Sequence, residues 1–389
     1  MIDLNDYFNP VSIEKPEFEF LNAQAGIPHN IFIHTESNPL KNIGKYRIAL
    51  LGVPDGRNSP NAGSLKAPDS IRMELYKLSR IPGKMKIADL GNMKQGVTFG
   101  DTLAGLADVL TWLFSEKVFP VIVGGSSALI PAIDLAFSRE KTRYSLAAVD
   151  PRIAYRTEKK EANAFNYLNS LISRTSGSFS HYTNIGYQTF LNDQQVINRF
   201  IKRNADLVRV GDVRQSIHLM EPLLRDSDAV VFNISAVRQS DAPGTALPSA
   251  NGFYGEEICL LSRYAGISDM IKVFGLFDVN PEHDIRSQTS GIAAQIIWFF
   301  LEGFSQKQFE TSVLGETSSP GRFIRYHVRV TGLDDDLIFV KSNLTERWWF
   351  EISSEKNGNV YAACSHEDYL QANRNEVPDR WIRAVERLK

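Results

Sequence analysis

With 389 residues, 43% of them hydrophobic and 23% charged, the chain is too apolar for disorder and long enough for one large α/β domain with an appendage, or for two medium domains. A formal net charge of -2 and a pI near 6.4 give no overall electrostatic reason to bind a nucleic-acid backbone or an anionic membrane. The start, Met1-Ile2-Asp3-Leu4-Asn5-Asp6, carries acids where a secretory leader carries bases, and the longest apolar stretch, Ile292 to Leu301, is too short for a bilayer span, so a cytoplasmic protein without membrane insertion or nucleic-acid partner is expected.

Residues 1–44 mix Pro10, Pro16, Pro28 and Pro39 with aromatics and read as an irregular N-terminal arm. From Tyr46, apolar runs rich in Val, Ile and Leu alternate with segments of helical period, the mark of a parallel sheet with helices on both faces. Strands are predicted at Tyr46–Val53, Lys86–Leu90, Phe119–Val123, Tyr144–Asp150, Tyr182–Ile185, Asp206–Val210, Ala229–Ile234 and Met270–Phe277. Helices are predicted between and after them at Ala67–Leu78, Leu103–Phe114, Ala128–Phe137, Ala162–Ile172, Asp193–Arg203, Ile217–Arg225, Gly255–Ala265 and Thr289–Gly303. The expected fold is a three-layer α-β-α domain over residues 45–303 with an eight-stranded, mainly parallel sheet, whose strands open their C-terminal ends on one edge.

Phe304 to Arg322, polar and rich in Ser, Gly and Thr, is expected to be a linker. Short strands at Ile324–Val330, Leu337–Val340, Trp348–Ile352 and Tyr361–Cys364, turns such as Lys356-Asn357-Gly358-Asn359, and a closing helix at Asp379–Leu388 make residues 304–389 a small α+β extension. Trp348-Trp349-Phe350 reads as its core. Cys259 and Cys364 lack any CxxC spacing and read as packing residues, and the seven histidines show no HxxxH or HExxH pattern. Lys202, Arg203, Arg209 and Arg214 read as a solvated basic face.

The predicted strand ends carry Gly52-Val53-Pro54-Asp55 with Asn61-Ala62-Gly63 and Ala67-Pro68-Asp69-Ser70-Ile71-Arg72, then Val123-Gly124-Gly125-Ser126-Ser127, then Asp150-Pro151-Arg152-Ile153-Ala154. Phe232-Asn233-Ile234-Ser235-Ala236-Val237-Arg238 with Ala242-Pro243-Gly244-Thr245, and Phe277-Asp278-Val279-Asn280-Pro281, complete the series. In this order, over residues 45 to 303, the segments resemble the ureohydrolase superfamily of arginases, agmatinases and formimidoylglutamases. The resemblance implies an arginase-like fold, and for the family it implies two Mn²⁺ ions that activate a bridging hydroxide for attack on a guanidinium or formimino carbon.

Where the family has His, Asp, His, Asp, Asp and Asp as metal ligands, this chain has Ser127, Asp150, Arg152, Ala154, Asn233 and Ser235. One carboxylate and a guanidinium stand in place of the four carboxylates that offset two dications, so the Mn²⁺ pair and every other cofactor are expected to be absent. On that count no residue receives a catalytic role, and the chain is read as a pseudoenzyme acting as a scaffold or a partner- or ligand-binding protein. Arg152 is expected beside Asp150, replacing the lost metal charge. Asp278 stands where the family has its substrate-reading Glu, and with Ser126, Asp150, Arg152 and Asn233 it is expected to form a remnant pocket for an arginine-like cation. The plainer alternative is that Asp278 caps the turn before Pro281 or pairs with Arg152.

The Gly124-Gly125-Ser126-Ser127 loop before a helix could hold an anion on its N–H groups or present a nucleophilic Ser, but it lacks a P-loop Lys and any paired His. The competing functional reading is an active formimidoylglutamase- or arginase-like hydrolase of C–N bonds in linear amidines. An unidentified protein partner is expected, and the family's trimers and hexamers imply a homo-oligomer.

Overall fold

Ten strands form one sheet: β1 (Phe8–Asn9), β2 (Phe32–Ile33), β3 (Ile48–Val53), β4 (Ile87–Met93), β5 (Phe119–Gly124), β6 (Tyr144–Val149), β7 (Phe179–Tyr187), β8 (Asp206–Arg209), β9 (Ala229–Asn233) and β10 (Val273–Phe277). They belong to a computed structural model that describes residues 2–12, 21–158, 161–174, 177–314, 321–354 and 358–388. The order is β1-β4-β3-β5-β10-β9-β6-β7-β8, with β2 also on β4. All pairings are parallel except that of β1 with β4.

Successive side chains of a strand point to opposite faces, and here each face feeds its own core. Ile48 and Leu50 of β3 enter one cluster with the helices Ala67–Tyr76, Gly255–Gly266 and Gln288–Ser305. Ala49, Leu51 and Val53 enter the other, with the helices Phe99–Ser115, Pro131–Arg139 and Gln194–Ile201. The fold is thus a three-layer α/β arrangement around a mostly parallel sheet, and the eight predicted strands are β3 to β10. Among the described residues no helix is long and apolar enough to cross a membrane.

The structure corrects several local expectations. The arm is not wholly irregular, because β1 and β2 extend the sheet at β4, where they occupy the backbone hydrogen bonds of an otherwise open edge. The helix expected from Ala162 begins only at Tyr167, since Asn163 and Asn166 turn the chain first: the Asn163 N–H donates to Asn166 Oδ1 at 2.7 Å and the Phe165 N–H to Asn163 Oδ1 at 2.9 Å. Val210 leaves its strand to start a helix, Val210–Gln215, and the segment expected as one helix from Ile217 divides into a 3-10 turn, Ile217–Leu219, and a helix, Met220–Arg225. Part of the expected linker, Thr311–Val313, is a 3-10 turn, whereas residues 315–320 and the first half of the turn at 356–359 lie outside the described residues.

The extension forms a separate antiparallel sheet of β11 (Phe323–Val328), β12 (Leu337–Ser342), β13 (Trp348–Ser354) and β14 (Gly358–Cys364) in sequential order. Trp348, Trp349 and Phe350 are buried, as is Cys364, so the aromatic run is core. A helix not anticipated from the sequence, His366–Asn373, starts at a capping box between Ser365 and Asp368, followed by the helix Asp379–Leu388.

Several charged ties hold this unit to the α/β domain, among them those of Arg225 and Asp206. Arg225, 1% exposed, donates to the carbonyls of Trp348 at 2.9 Å and Cys364 at 3.3 Å, with its guanidinium 4.4 Å from the Trp349 ring. Asp206 in β8 accepts Arg387 at 2.5 Å and pairs with Arg383 at 3.2 Å and His181 at 2.9 Å. Against the penalty of burial, His181 and Arg387 hold the Asp206 carboxyl well below the usual carboxylate range. Its stabilisation is therefore present above the unfolded value and is lost as pH falls toward the folded one. Asp206→Asn is expected to destabilise the protein by roughly 3 kcal/mol at neutral pH, with the deficit shrinking below about pH 4. Denaturant unfolding at pH 7 and pH 3.5 checks this, and a deficit of equal size at both would refute the charge-based account.

Candidate functional site

In the order β5-β10-β9-β6, four neighbouring strands end side by side, and this brings Ser127, Asp278, Asn233 with Ser235, and Asp150 with Arg152 together from stretches of chain far apart in sequence. They line a cleft of about 240 Å³ that also includes Ala154, Asn61, Arg156, Leu191, Thr245 and Leu247. All six positions that the family resemblance singles out, and Asp278 with them, share this one cleft. Ser126 is not on its wall. It is fully buried, and its hydroxyl accepts the Ala128 N–H at 3.0 Å.

Asp278 is the residue to which most of the cleft is tied. It sits at φ 68°, a left-handed conformation uncommon for a residue with a side chain. Its N–H donates to Gly125 O at 2.8 Å and its carbonyl accepts Asn61 Nδ2 at 2.7 Å, which fixes the backbone on both sides. Oδ1 accepts the Ser127 N–H at 3.2 Å, and Oδ2 accepts Asn233 Nδ2 at 2.9 Å. The remaining amide oxygen of Asn233 accepts both the N–H and the hydroxyl of Ser235, at 3.0 and 2.8 Å. The carboxylate thus binds two strand-end loops rather than capping the Pro281 turn, where Asn280 accepts the Glu282 N–H at 2.9 Å instead.

These bonds also decide the fate of the glycine loop. The N–H groups of Gly125, Ser126, Ser127 and Ala128 donate to Val53 O, Asp55 O, Asp278 Oδ1 and Ser126 Oγ respectively, so all four are already engaged and no anion cradle exists there. The glycines serve close packing instead. A Cβ on Gly125 would lie 2.3 Å from Asp55 O, and one on Gly124 would meet the Phe277 ring at 2.2 Å.

Arg152 departs from its expected place. Its peptide N–H turns back onto Asp150 Oδ1 at 2.8 Å, but among the described residues no ion pair joins the two side chains, and the guanidinium lies on the cleft wall. The Asx turn at 150–152 uses the carboxylate locally and leaves the charge attraction to act at longer range. Burial pushes the Asp150 carboxyl up to about 7, with the charge of Asp278 adding to the rise, while the Arg152 N–H and guanidinium and the Asn233 side chain pull it back. Asp278 is likewise raised by burial, against its Ser127 and Asn233 donors. Among the described residues no three His, Cys, Asp or Glu side chains group as a metal cluster.

Sequence reasoning missed the asparagines that hold the walls. Asn61 joins Asp278 to Asn280, whose Nδ2 donates to Asn61 Oδ1 at 2.8 Å. Asn192 Oδ1 accepts the Ile153 N–H at 2.7 Å, and its Nδ2 donates to Pro151 O at 3.0 Å. Asn61 stands in a quoted motif, which was a usable signal. Asn192 has none, since its role depends on a loop about forty positions upstream. The basic stretch is only partly solvated, because Arg214 pairs with Glu257 at 3.1 Å and Arg209 donates to Tyr187 Oη at 3.1 Å.

Comparison with known proteins matches residues 46–302 to the sequence model of the arginase family. Formimidoylglutamase of Bacillus subtilis is 23% identical over 67% of this chain and 88% of its own, and that of Staphylococcus haemolyticus is 23% identical over 66% and 86%. Among solved structures, formimidoylglutamase from Bacillus subtilis superposes with a TM-score of 0.66 at 19% identity, covering 77% of this chain and 98% of its own. Formiminoglutamase of Trypanosoma cruzi, solved with Mn²⁺, reaches 0.64 at 17% identity, covering 69% and 96%.

Folded Asp150 keeps its proton to about pH 7, whereas an unfolded chain releases it near the usual aspartate value, so stability falls as pH rises between the two. Asp150→Asn is therefore expected to match the parent near pH 4 and to exceed it by on the order of 2 kcal/mol at pH 8. Thermal melts at the two pH values check this, and an equal shift at both would contradict the origin given for the raised pKa.

Proposed function

Because this chain belongs to the arginase family, we propose that it is a ureohydrolase-fold protein that has exchanged two-manganese hydrolysis for binding, with the cleft at the strand ends and the C-terminal extension as its contact surfaces. The observation that carries this reading is the composition of the cleft. Of the six positions corresponding to the family's ligands, one is a carboxylate and one is a guanidinium. A pair of dications brings four positive charges and asks for hard oxygen or imidazole donors in number, a demand that two serines, an alanine and an asparagine do not meet. Asp278, the other acid nearby, already accepts two hydrogen bonds that hold the loops together. This donor set does not fit a manganese pair.

A cleft of this kind can still recognise a ligand or a partner. Arg152 and Arg156 offer cationic donors, Asp150 an acceptor, and Leu247, 38% exposed, an apolar edge, with Phe190, 69% exposed, beside the lining Leu191. We place the protein in the cytoplasm, as a homo-oligomer or a subunit with a protein partner, following its membership of the arginase family.

The second reading, a formimidoylglutamase-like hydrolase of linear amidines, is favoured by one observation, the names carried by the curated relatives. Metal content and turnover separate the two. Protein purified with Mn²⁺ in the growth medium is expected to hold no stoichiometric manganese by elemental analysis. It is also expected to release neither urea from arginine or agmatine nor formamide from formimidoylglutamate. Stoichiometric manganese accompanied by turnover of any of these would overturn the proposal.

A further inference from the structure

At the opposite edge of the sheet, by the N-terminal ends of β3, β5 and β10, a second pocket of about 470 Å³ opens, within the usual range for small-molecule sites. Phe119, the first residue of β5, forms part of its wall. The last turn of the helix Gln288–Ser305 supplies Phe304 and the chain leaving it supplies Lys307 and Phe309, so the segment that joins the family fold to the extension completes the pocket. The rings of Phe119 and Phe304 lie 4.8 Å apart.

Two cations stand over these rings. The Lys307 ammonium is 3.9 Å from the Phe304 ring and 5.4 Å from that of Phe119, and the Arg47 guanidinium is 5.0 Å from Phe309 and 5.7 Å from Phe304. Among the described residues neither has an ion-pair partner. Two acids line this wall: Glu140, which is exposed and pairs with neither cation, and Asp269, whose oxygens accept the N–H groups of Phe309 at 3.1 Å, Glu310 at 2.7 Å and Thr311 at 3.3 Å. Aromatic faces attract cations, but they do not replace a counter-ion for an amine removed from water. Burial pulls the Lys307 amine down to about 7, with the Arg47 charge acting in the same direction and Asp269 opposing it. Phe309 adds an independent sign. At φ 50° it holds a left-handed backbone, and the residue is 48% exposed, so the loop maintains an unfavourable conformation while an aromatic side chain lines the pocket without being buried.

We propose that this pocket binds a small molecule with a flat aromatic body and an anionic group, the body lying against the phenylalanine rings and the anion between Arg47 and Lys307. The ligand supplies the direct ion-pair partner that neither cation finds among the described residues, and the rings supply the area that a bare anion would leave unused. The same chemistry is carried by a mononucleotide and by an aryl carboxylate, and titration distinguishes these sources.

The test is calorimetric titration of the full chain with AMP, 2-naphthoate, adenosine and inorganic phosphate. Saturable binding of AMP or of 2-naphthoate is expected, with adenosine and phosphate weaker by roughly tenfold or more, because each lacks half of the recognition. Lys307→Met and Arg47→Gln should each weaken the bound compound roughly tenfold, and Phe309→Ser, which alters an exposed ring and leaves the core intact, should weaken it as well. Arg152→Ala, in the cleft on the other edge, should leave the affinity unchanged. The proposal is overturned if neither aromatic anion saturates, if phosphate alone binds as well as AMP, if the Phe309→Ser and Arg47→Gln proteins bind like the parent, or if Arg152→Ala abolishes binding.

Discussion

The bonds converging on Asp278 decide what the strand-end cleft is. In a parallel sheet the loops beyond the C-terminal strand ends have no ladder to hold them, and something must fix them relative to one another. Here Asp278, anchored through its own N–H and carbonyl, accepts a backbone N–H from the loop after β5 and an amide from the end of β9, while Asn61 adds the loop after β3. Hydrogen bonds among neutral amides and one carboxylate make these ties, and the left-handed backbone at Asp278 is the conformational cost of bringing the acid inward.

The electrostatics of the cleft follow from this arrangement. Once Asp278 is committed to its donors, Asp150 is a second buried acid without an ion pair among the described residues, and both carboxyls rise. The Arg152 guanidinium attracts them from a distance without contact. The result is a cleft whose charges are few and individually adjustable, unlike a dense cage of anions built around dications.

The fold was legible in the sequence because its signal is local and repeated. β3, β5, β6, β9 and β10 are largely apolar runs of strand length, while β4, β7 and β8 mix polar residues into the pattern and stand out by their place in the alternation with helices. What escaped the sequence depends on contacts distant along the chain. Phe8 and Phe32 give no strand signal by themselves and become strands by pairing with β4. The six cleft positions could be named because the strand-end segments resemble those of the ureohydrolases, but the direction of Arg152 could not be read, since it depends on an Asx turn two residues earlier. The pocket at the other edge was invisible for the same reason: Arg47, Phe119 and Lys307 are separated by long stretches of chain and carry no motif.

The tie between β8 and the last helix bears on how the chain folds. β8 is an edge strand of the large sheet, and its Asp206 is engaged by Arg383 and Arg387 of the helix Asp379–Leu388. Asp206 and Arg387 stand 181 positions apart, so this tie closes a long loop and secures the finished fold rather than the first steps of its assembly.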